Sequence, residues 1–513
     1  MTAMSQMPGI GRIEPSSATF TKTYDAGKPQ VVWTRLVADL ETPVSAFLKL
    51  AADRPYSFLF ESVEGGAVRG RYSIIGFDPD VVWRANGDQA EINPAPLEGS
   101  GFEPCKGRAL EALRELLAQS RIDLSEDLPP MAAGVFGYMG YDTVRLIEHL
   151  PCKKPDPIGT PDAILIRPTI MVIFDAVSDE MTAITPVRPA AGVTAEHAYN
   201  RAIERLREAL SRLNSALPHA VRLDYSAVPR PEPTSNTTPD EYMAMVRRAK
   251  DYIAAGDIFQ VVLSQRFSAP YALPPFSLYR ALRRVNPSPF LYFLNMEGFS
   301  IVGSSPEILV RARGGEVTIR PIAGTRPRGE TKQEDAALAE ELLTDKKERA
   351  EHLMLLDLGR NDVGRVAKVG SVRVTDSFFL EYYSQVMHIV SNVVGDLDPK
   401  YDAIDALMAG FPAGTVSGAP KVRAMEIIDE LEKEKRGVYA GCVGYFSANG
   451  DMDSCIVLRT SLVKDGVMHV QAGAGIVADS VPESEQTECV NKAKALFRAA
   501  EEAVRFATGS NEA

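Results

Sequence analysis

The chain has 513 residues, of which 45% are hydrophobic and 24% charged, a balance that supports burial of two or more domain-sized cores. Its formal net charge of -12 excludes the clustered positive surface that nucleic-acid binding requires and suits a soluble, cytoplasmic protein. No apolar run approaches a membrane span, residues 1–12 lack a secretion-signal pattern, and the five cysteines (Cys105, Cys152, Cys442, Cys455, Cys489) are odd in number and without paired metal spacing, which reads as reduced thiols in the core.

Residues 1–30 carry few apolar side chains and read as a flexible tail. Residues 31–225 read as a mixed α and β region: a helix from Thr42-Pro43, a strand at 56–62, short strands at 71–76 and 81–83, and helices at 110–117 and 195–213. The glycines of residues 134–142 do not follow the G-x-G-x-x-G spacing of a nucleotide loop and suggest a close approach of strands instead. Residues 226–238 are proline-rich and read as a linker, followed by a region at 239–507 and a tail at 508–513. Thr238-Pro239-Asp240-Glu241 is a helix start with a capping box, and Gly256 is its stop.

Beyond Gly256 strands dominate. Alternation at 259–267 places Phe259, Val261, Leu263 and Phe267 on one face and Gln260, Val262, Ser264 and Arg266 on the other. Strands are expected at 289–295, 301–304, 308–312, 316–322, 442–446, 454–463 and 467–477, joined by tight turns and hence largely antiparallel. Helices are expected at 403–408, 420–431 and 482–506, with a charged helical approach at 330–347. The fold class is therefore α+β, with largely antiparallel β-sheets forming a sandwich-like core and helices packed outside. On the helix that follows residue 346, Glu348, Glu351, His352 and Leu355 share a face, and Glu485, Glu488 and Lys492 repeat the device near the C-terminus. A solvated pair of acids matched by Lys347 and Arg349 is one reading of the first set. Two such helices also read as the walls of one hard-cation site, whose oxygen ligands would suit Mg2+ better than zinc.

Four longer runs carry a resemblance to the chorismate-utilising enzymes: Pro321-Ile322-Ala323-Gly324-Thr325-Arg326-Pro327-Arg328-Gly329, the twelve residues from Glu351 to Asp362, Phe411 to Lys421, and Gln471-Ala472-Gly473-Ala474-Gly475-Ile476-Val477. The chain most resembles the members that form anthranilate, and the resemblance covers residues 31–506. It implies addition of ammonia at ring carbon 2 of chorismate, loss of the 4-hydroxyl and elimination of pyruvate. It further implies Mg2+ at Glu348, Glu351, Glu485 and Glu488, and substrate binding by Gly324, Thr325, Thr415, Tyr439, Arg459, Gly473, Gly475 and Lys492. Catalysis is implied for His388, Glu307 and Thr325, with Glu307 as the acid that protonates the departing hydroxyl. Arg459 is expected on a strand, where it also reads as a simple edge cation.

Water-using relatives carry a lysine where this chain has Gln260, and relatives that aminate carbon 4 carry a lysine nucleophile where it has Ala323, so direct attack of ammonia at carbon 2 is expected. The sequence offers no glutaminase nucleophile, which implies a separate glutamine amidotransferase subunit and a hetero-oligomer. Glu61, Ser62, Arg71, Pro289, Phe290, Leu291, Val443 and Tyr445 resemble a feedback site for L-tryptophan. The alternatives are a carbon-4 aminating synthase, one that stops before pyruvate loss, and a catalytically idle tryptophan-binding subunit.

Overall fold

The computed structural model describes residues 11–62, 70–151, 154–217, 230–383 and 386–508. Among these, twenty-three strands join into one hydrogen-bonded network whose ladders are antiparallel, flanked on the outside by helices, as the alternation and turn spacing predict. Strand side chains such as Phe58, Phe136, Ile166, Tyr292 and Ile301 fill one interior layer. The second, larger core packs the helices onto the opposite strand faces, with Phe47, Leu206, Tyr242, Leu282 and Leu496 among its members. No helix among the described residues is long and apolar enough to cross a membrane.

The two regions proposed on either side of the linker share one sheet. Phe290–Met296 pairs with Ser57–Glu61 on one side and Phe299–Ser305 on the other. Gly134–Met139 likewise lies between Ala163–Asp175 and Cys442–Ser447. Order also begins earlier than residue 31: Ile13–Glu14 pairs with Gln30–Val37, and the helix Ser17–Asp25 buries Phe20 against Tyr199, so the tail reading is corrected for this stretch. Of the proposed linker, residues 226–229 lie outside the described residues. Its continuation is not free, since Thr234–Ser235 pairs with Ser268 and Phe267 and Thr237 is buried. Cys152 lies outside the described residues, and Cys105, Cys442, Cys455 and Cys489 are free thiols.

Several elements differ from expectation for local reasons. The strands expected at 71–76 and 81–83 are one strand, Tyr72–Asn86, whose register shifts between Pro79 and Val81 because proline offers no ladder donor. The strand expected at 316–322 divides into Glu316–Ile319 and Ile322–Pro327. The one expected at 454–463 divides into Met452–Ile456 and Thr460–Lys464, with Arg459 in the break at φ +47. Phe259 is 71% exposed, outside the ladder that starts at Gln260, rather than on the buried face. The Thr238 capping box and its Pro239 form as read, and the helix closes at Gly256 in a left-handed conformation.

At Gly137 the sequence reading of a close strand approach acquires a measure. The residue faces Gly444 on one ladder and Leu165 on the other, and a Cβ there would stand 2.1 Å from the carbonyl oxygen of Ile164. Backbone, not a movable side chain, blocks that space. Gly137→Ala is therefore expected to destabilise the protein by about 1–3 kcal/mol, read as a lower urea midpoint at constant slope; a midpoint equal to the parent would show that the ladders yield freely.

Candidate active site

Two adjoining cavities of about 710 and 430 Å³ share Asn286, Arg459 and Ala495 and form one cleft beside the helix Pro482–Thr508. Glu488 and Lys492 line the larger part, and His388 and Tyr383 the smaller. Arg459 reaches the cleft because its strand breaks: its carbonyl accepts from the Ser304 N–H at 3.2 Å while its φ lies in the left-handed region. That conformation is unusual for a side chain with a Cβ and strained unless its surroundings fix it. Burial lowers the Arg459 pKa, although the guanidinium stays cationic at neutral pH.

His388 stands opposite Thr325 across the ladder between Ile322–Pro327 and Val386–Asp396, and the pairing skips at Gly324. Gly324 takes φ +79, and a Cβ there would press within 3.4 Å of Ile389, Leu342 and the Glu348 carboxylate, so this bulge requires glycine. His388 Nδ1 lies 2.9 Å from Thr325 Oγ1 and 3.3 Å from the Gly324 carbonyl oxygen. A carbonyl only accepts, so Nδ1 carries the proton and Nε2 keeps its lone pair. Burial, reinforced by the Arg459 charge, pushes the His388 pKa down to about 4, leaving a neutral imidazole at physiological pH.

Glu307 shows the opposite shift. It is 4% exposed, and desolvation pushes its pKa up to about 8 even though Thr415 Oγ1 donates to its Oε1 at 2.8 Å. The pair is thus an uncharged acid and an uncharged base at neutral pH. Thr415 is held in the turn Gly414–Val416.

On the other wall the strand Val467–Ile476 pairs with Gln260–Pro270, with Gly473 opposite Ser264 and Gly475 opposite Val262. A Cβ on Gly473 would lie 3.1 Å from Tyr439 Oη, and one on Gly475 would lie 2.6 Å from Gln260 Nε2, so both glycines leave room for neighbouring polar groups. Lys492 Nζ donates to the Gly473 carbonyl at 3.1 Å and pairs with Glu488 at 2.7 Å. Tyr439 is buried beneath, its ring 5.5 Å from the Arg436 guanidinium. Arg436 is itself neutralised by the buried Glu432 at 2.6 Å.

The four glutamates expected to share a cation come from two facing helices, Lys346–Gly364 and Pro482–Thr508. Burial raises the Glu351 pKa, and the like charges of Glu348 and Glu488 raise it further; Glu485 is raised by burial and by Glu488. The carboxylates therefore sense one another, yet among the described residues no three acids, histidines or cysteines close into a metal-ligand group. Arg326 engages Glu348 at 3.2 Å, Gln260 donates to Glu351 at 3.1 Å and Lys492 engages Glu488. The donor set, hard oxygens in excess of the cations beside them, fits a hard divalent cation better than zinc.

A second cavity of about 200 Å³ is lined by all eight of the residues expected at a regulatory site, Glu61, Ser62, Arg71, Pro289, Phe290, Leu291, Val443 and Tyr445. Glu61 is fixed by the Tyr279 hydroxyl and by Arg283 at 2.9 Å. Asp453, Arg311 and Arg313 also line it and escaped the sequence reading, although Asp453 opposes Tyr445 in the ladder and a correct pairing of the two strands would have found it. In the cleft, Tyr383 was missed because it lies where regular structure ends and no periodicity marks it, while Asn286, which opens the run that reads as part of the regulatory site, lines the cleft instead.

The sequence profile of the chorismate binding enzymes matches residues 55–498. The chain is 57% identical over 494 residues to anthranilate synthase component 1 of Cereibacter sphaeroides, covering 96% of this chain and 98% of the relative. It is 50% identical over 467 residues to the protein of that name in Pseudomonas aeruginosa, covering 90% and 94%. The solved structure of anthranilate synthase component I from Streptococcus pneumoniae superposes with a TM-score of 0.75 at 38% identity, over 90% of this chain and 98% of that one. A menaquinone-specific isochorismate synthase from Escherichia coli, at 18% identity and a TM-score of 0.69 over 94% and 100% of the two chains, shares the fold.

The Glu307 shift has a thermodynamic signature. The folded carboxyl holds its proton up to pH about 8 while the unfolded one ionises near 4.3, so the stabilisation is complete below the unfolded value and is lost as pH rises through the folded one. Relative to Glu307→Gln, which has no such proton to lose, the parent should lose on the order of a few kcal/mol of stability between about pH 5 and 8. Urea midpoints that track in parallel across that range would refute the shift.

Proposed function

We propose that this chain, which belongs to the chorismate-binding enzymes, is the large subunit of an anthranilate synthase, converting chorismate and ammonia to anthranilate, pyruvate and water with Mg2+ bound. What supports the reading is a protonated acid at Glu307, next in the chain to Pro306 on the cleft wall, together with a neutral base at His388, which lines the cleft. Arg459 and the backbone around Gly473 and Gly475 receive the carboxylates of the substrate, where a guanidinium and unobstructed amides are the donors such groups need. Mg2+, held by Glu348, Glu351, Glu485 and Glu488, would supply the charge that makes an acidic pocket attractive to a dicarboxylate. Arg326, Lys347 and Lys492 moderate the repulsion among those acids.

Glu307 gives its proton to the 4-hydroxyl, which departs as water while ammonia bonds to carbon 2. His388 Nε2 then removes the hydrogen at carbon 2 as the enolpyruvyl group leaves, taking up a proton to become pyruvate. Thr325 and Gly324 hold the imidazole in the tautomer this step needs. Ala323 supplies no nucleophile and Gln260 no general base, so orientation of ammonia, not covalent attachment, lowers the barrier. A separate amidotransferase subunit supplies the ammonia from glutamine. The cavity at Glu61 and Ser62 binds L-tryptophan and couples it to inhibition: Asn286 lines the cleft and Pro289 to Leu291 line the cavity, so one short segment walls both.

The isolated chain with chorismate, a magnesium salt and ammonium should form 2-aminobenzoate, identified by fluorescence and mass, faster as pH rises towards 8, where free ammonia grows while Glu307 still holds its proton. Glutamine should be inert until the partner subunit is added. A main product of 4-amino-4-deoxychorismate or isochorismate would overturn the reading of Ala323 and Gln260. Glu351→Gln and Glu488→Gln should each lower turnover at least roughly tenfold, in keeping with loss of a ligand or its support, with unchanged circular dichroism; near-parent rates in both would remove the cation from this site. For regulation, Ser62→Arg fills a small polar pocket with a long cation, so inhibition should require a higher tryptophan concentration, and an unchanged inhibition curve beside an inhibited parent would place the effector elsewhere.

A further inference from the structure

A third cavity, of about 250 Å³, shares no lining residue with the cleft and lies under the bend Phe77–Asp80 of the strand Tyr72–Asn86 and against the helix Ala195–Leu213. Phe77, Pro79, Leu97 and Ile170 make its apolar floor, and Arg54, Arg205 and Arg212 its cationic side. The acids around it are already engaged. Asp78 pairs with Arg54, Glu208 pairs with Arg212 at 2.7 Å, and Asp80 is shared between Arg167 at 2.7 Å and Arg188 at 3.6 Å. Five guanidinium groups thus meet three paired carboxylates and the exposed Glu98.

Arg205 is the group left over. It lines the cavity without a hydrogen bond or ion pair among the described residues, drawn only from a distance by Asp78 and Asp80 and repelled by Arg201. Behind Asp80, Arg188 keeps Nε and Nη2 buried with no acceptor. Burial lowers the pKa of both, Arg188 to about 10, and both stay cationic at neutral pH. An unpaired guanidinium on a cavity wall is available to an oxyanion, and the planar fork of arginine matches carboxylate and phosphate oxygens in pairs.

We propose that this cavity binds a small organic anion, a carboxylate or phosphate ester carried on an apolar body, with the oxyanion on Arg205 and the body on the Phe77, Leu97 and Ile170 floor. Neither the chemistry at His388 nor the cavity at Ser62 uses these residues, so the site is separate from both.

Benzoate and phenyl phosphate are the probes, titrated into the full chain by calorimetry. Saturable binding of at least one is expected, with Arg205→Gln weakening it roughly tenfold or more through loss of a charge-assisted contact and Arg205→Lys falling between. Whichever probe binds identifies the oxyanion. Binding should persist in Arg459→Gln and Ser62→Arg, which address the cleft and the regulatory cavity. Because Arg205→Gln removes an unpaired, half-buried charge, it should melt no lower than the parent without probe. Absence of saturable heat from both probes, equal binding by Arg205→Gln, or loss of binding in Arg459→Gln would each overturn the proposal. Inorganic phosphate binding as tightly as phenyl phosphate would overturn the role of the apolar floor.

Discussion

The strand Phe290–Met296 is hydrogen-bonded on both edges, to a strand from the first third of the chain and to one from its middle, and the two functional cavities depend on that double pairing. Its register sets Leu291 against Glu61 and against Ser304. The first pairing closes the wall of the small cavity. The second aligns Ser304, whose hydroxyl donates to the Asn286 carbonyl at 2.5 Å and whose amide donates to the Arg459 carbonyl. A slip by one residue would turn every side chain of the strand to the opposite face, separating Glu61 from its cavity and Arg459 from its cleft together.

Desolvation tunes the acid and the base of the site, and it acts on the two with opposite sign. Burial opposes charge of either kind, so it raises the carboxyl of Glu307 and lowers the imidazole of His388. Local hydrogen bonds oppose both shifts without cancelling them: the Thr415 hydroxyl favours the carboxylate and the Gly324 carbonyl favours the imidazolium. The outcome is a pair of neutral groups able to donate and accept a proton at the pH where water-exposed counterparts would already be ionised or partly protonated.

Much of this was legible in the chain because its signals are local. Thr238, Pro239 and Glu241 specify a helix start through neighbouring contacts, and alternation through residues 467–477 needs only two-sided burial to become a strand. The motif runs around Gly324, Glu351, Thr415 and Gly473 were readable as a set, and the fold sets the first against His388 and the last against Lys492, both of which line the cleft. What escaped was set by tertiary pairing. Arg459 looks like part of a continuous strand because Ser454 to Val463 alternates well; the break exists because Met452–Ile456 and Thr460–Lys464 pair with different partners, Ile308–Arg313 and Phe299–Ser305. Helix Ser17–Asp25 was misread as tail because two aromatic residues, Phe20 and Tyr24, supply most of its buried surface and composition alone does not count them heavily.

The carboxylates on the two facing helices explain why the cleft retains cations that a simple acid–base site would not need. Glu351 is largely buried yet receives only a neutral donor, the Gln260 amide, and its pKa rises through burial first and then through the nearby charges of Glu348 and Glu488. Left alone, such a group would take a proton. Each neighbouring acid has a cationic partner instead, Arg326 for Glu348 and Lys492 for Glu488, and Lys492 is tethered at the same time to the Gly473 carbonyl. A side chain with two such anchors can exchange one for the other when a further charge arrives, so the position of the Gly473 strand and the charge state of the glutamates are linked through one ammonium group. On the proposed reading this linkage joins the two ends of the substrate site: the wall that receives one carboxylate is steadied by the same lysine that balances the acids at the other.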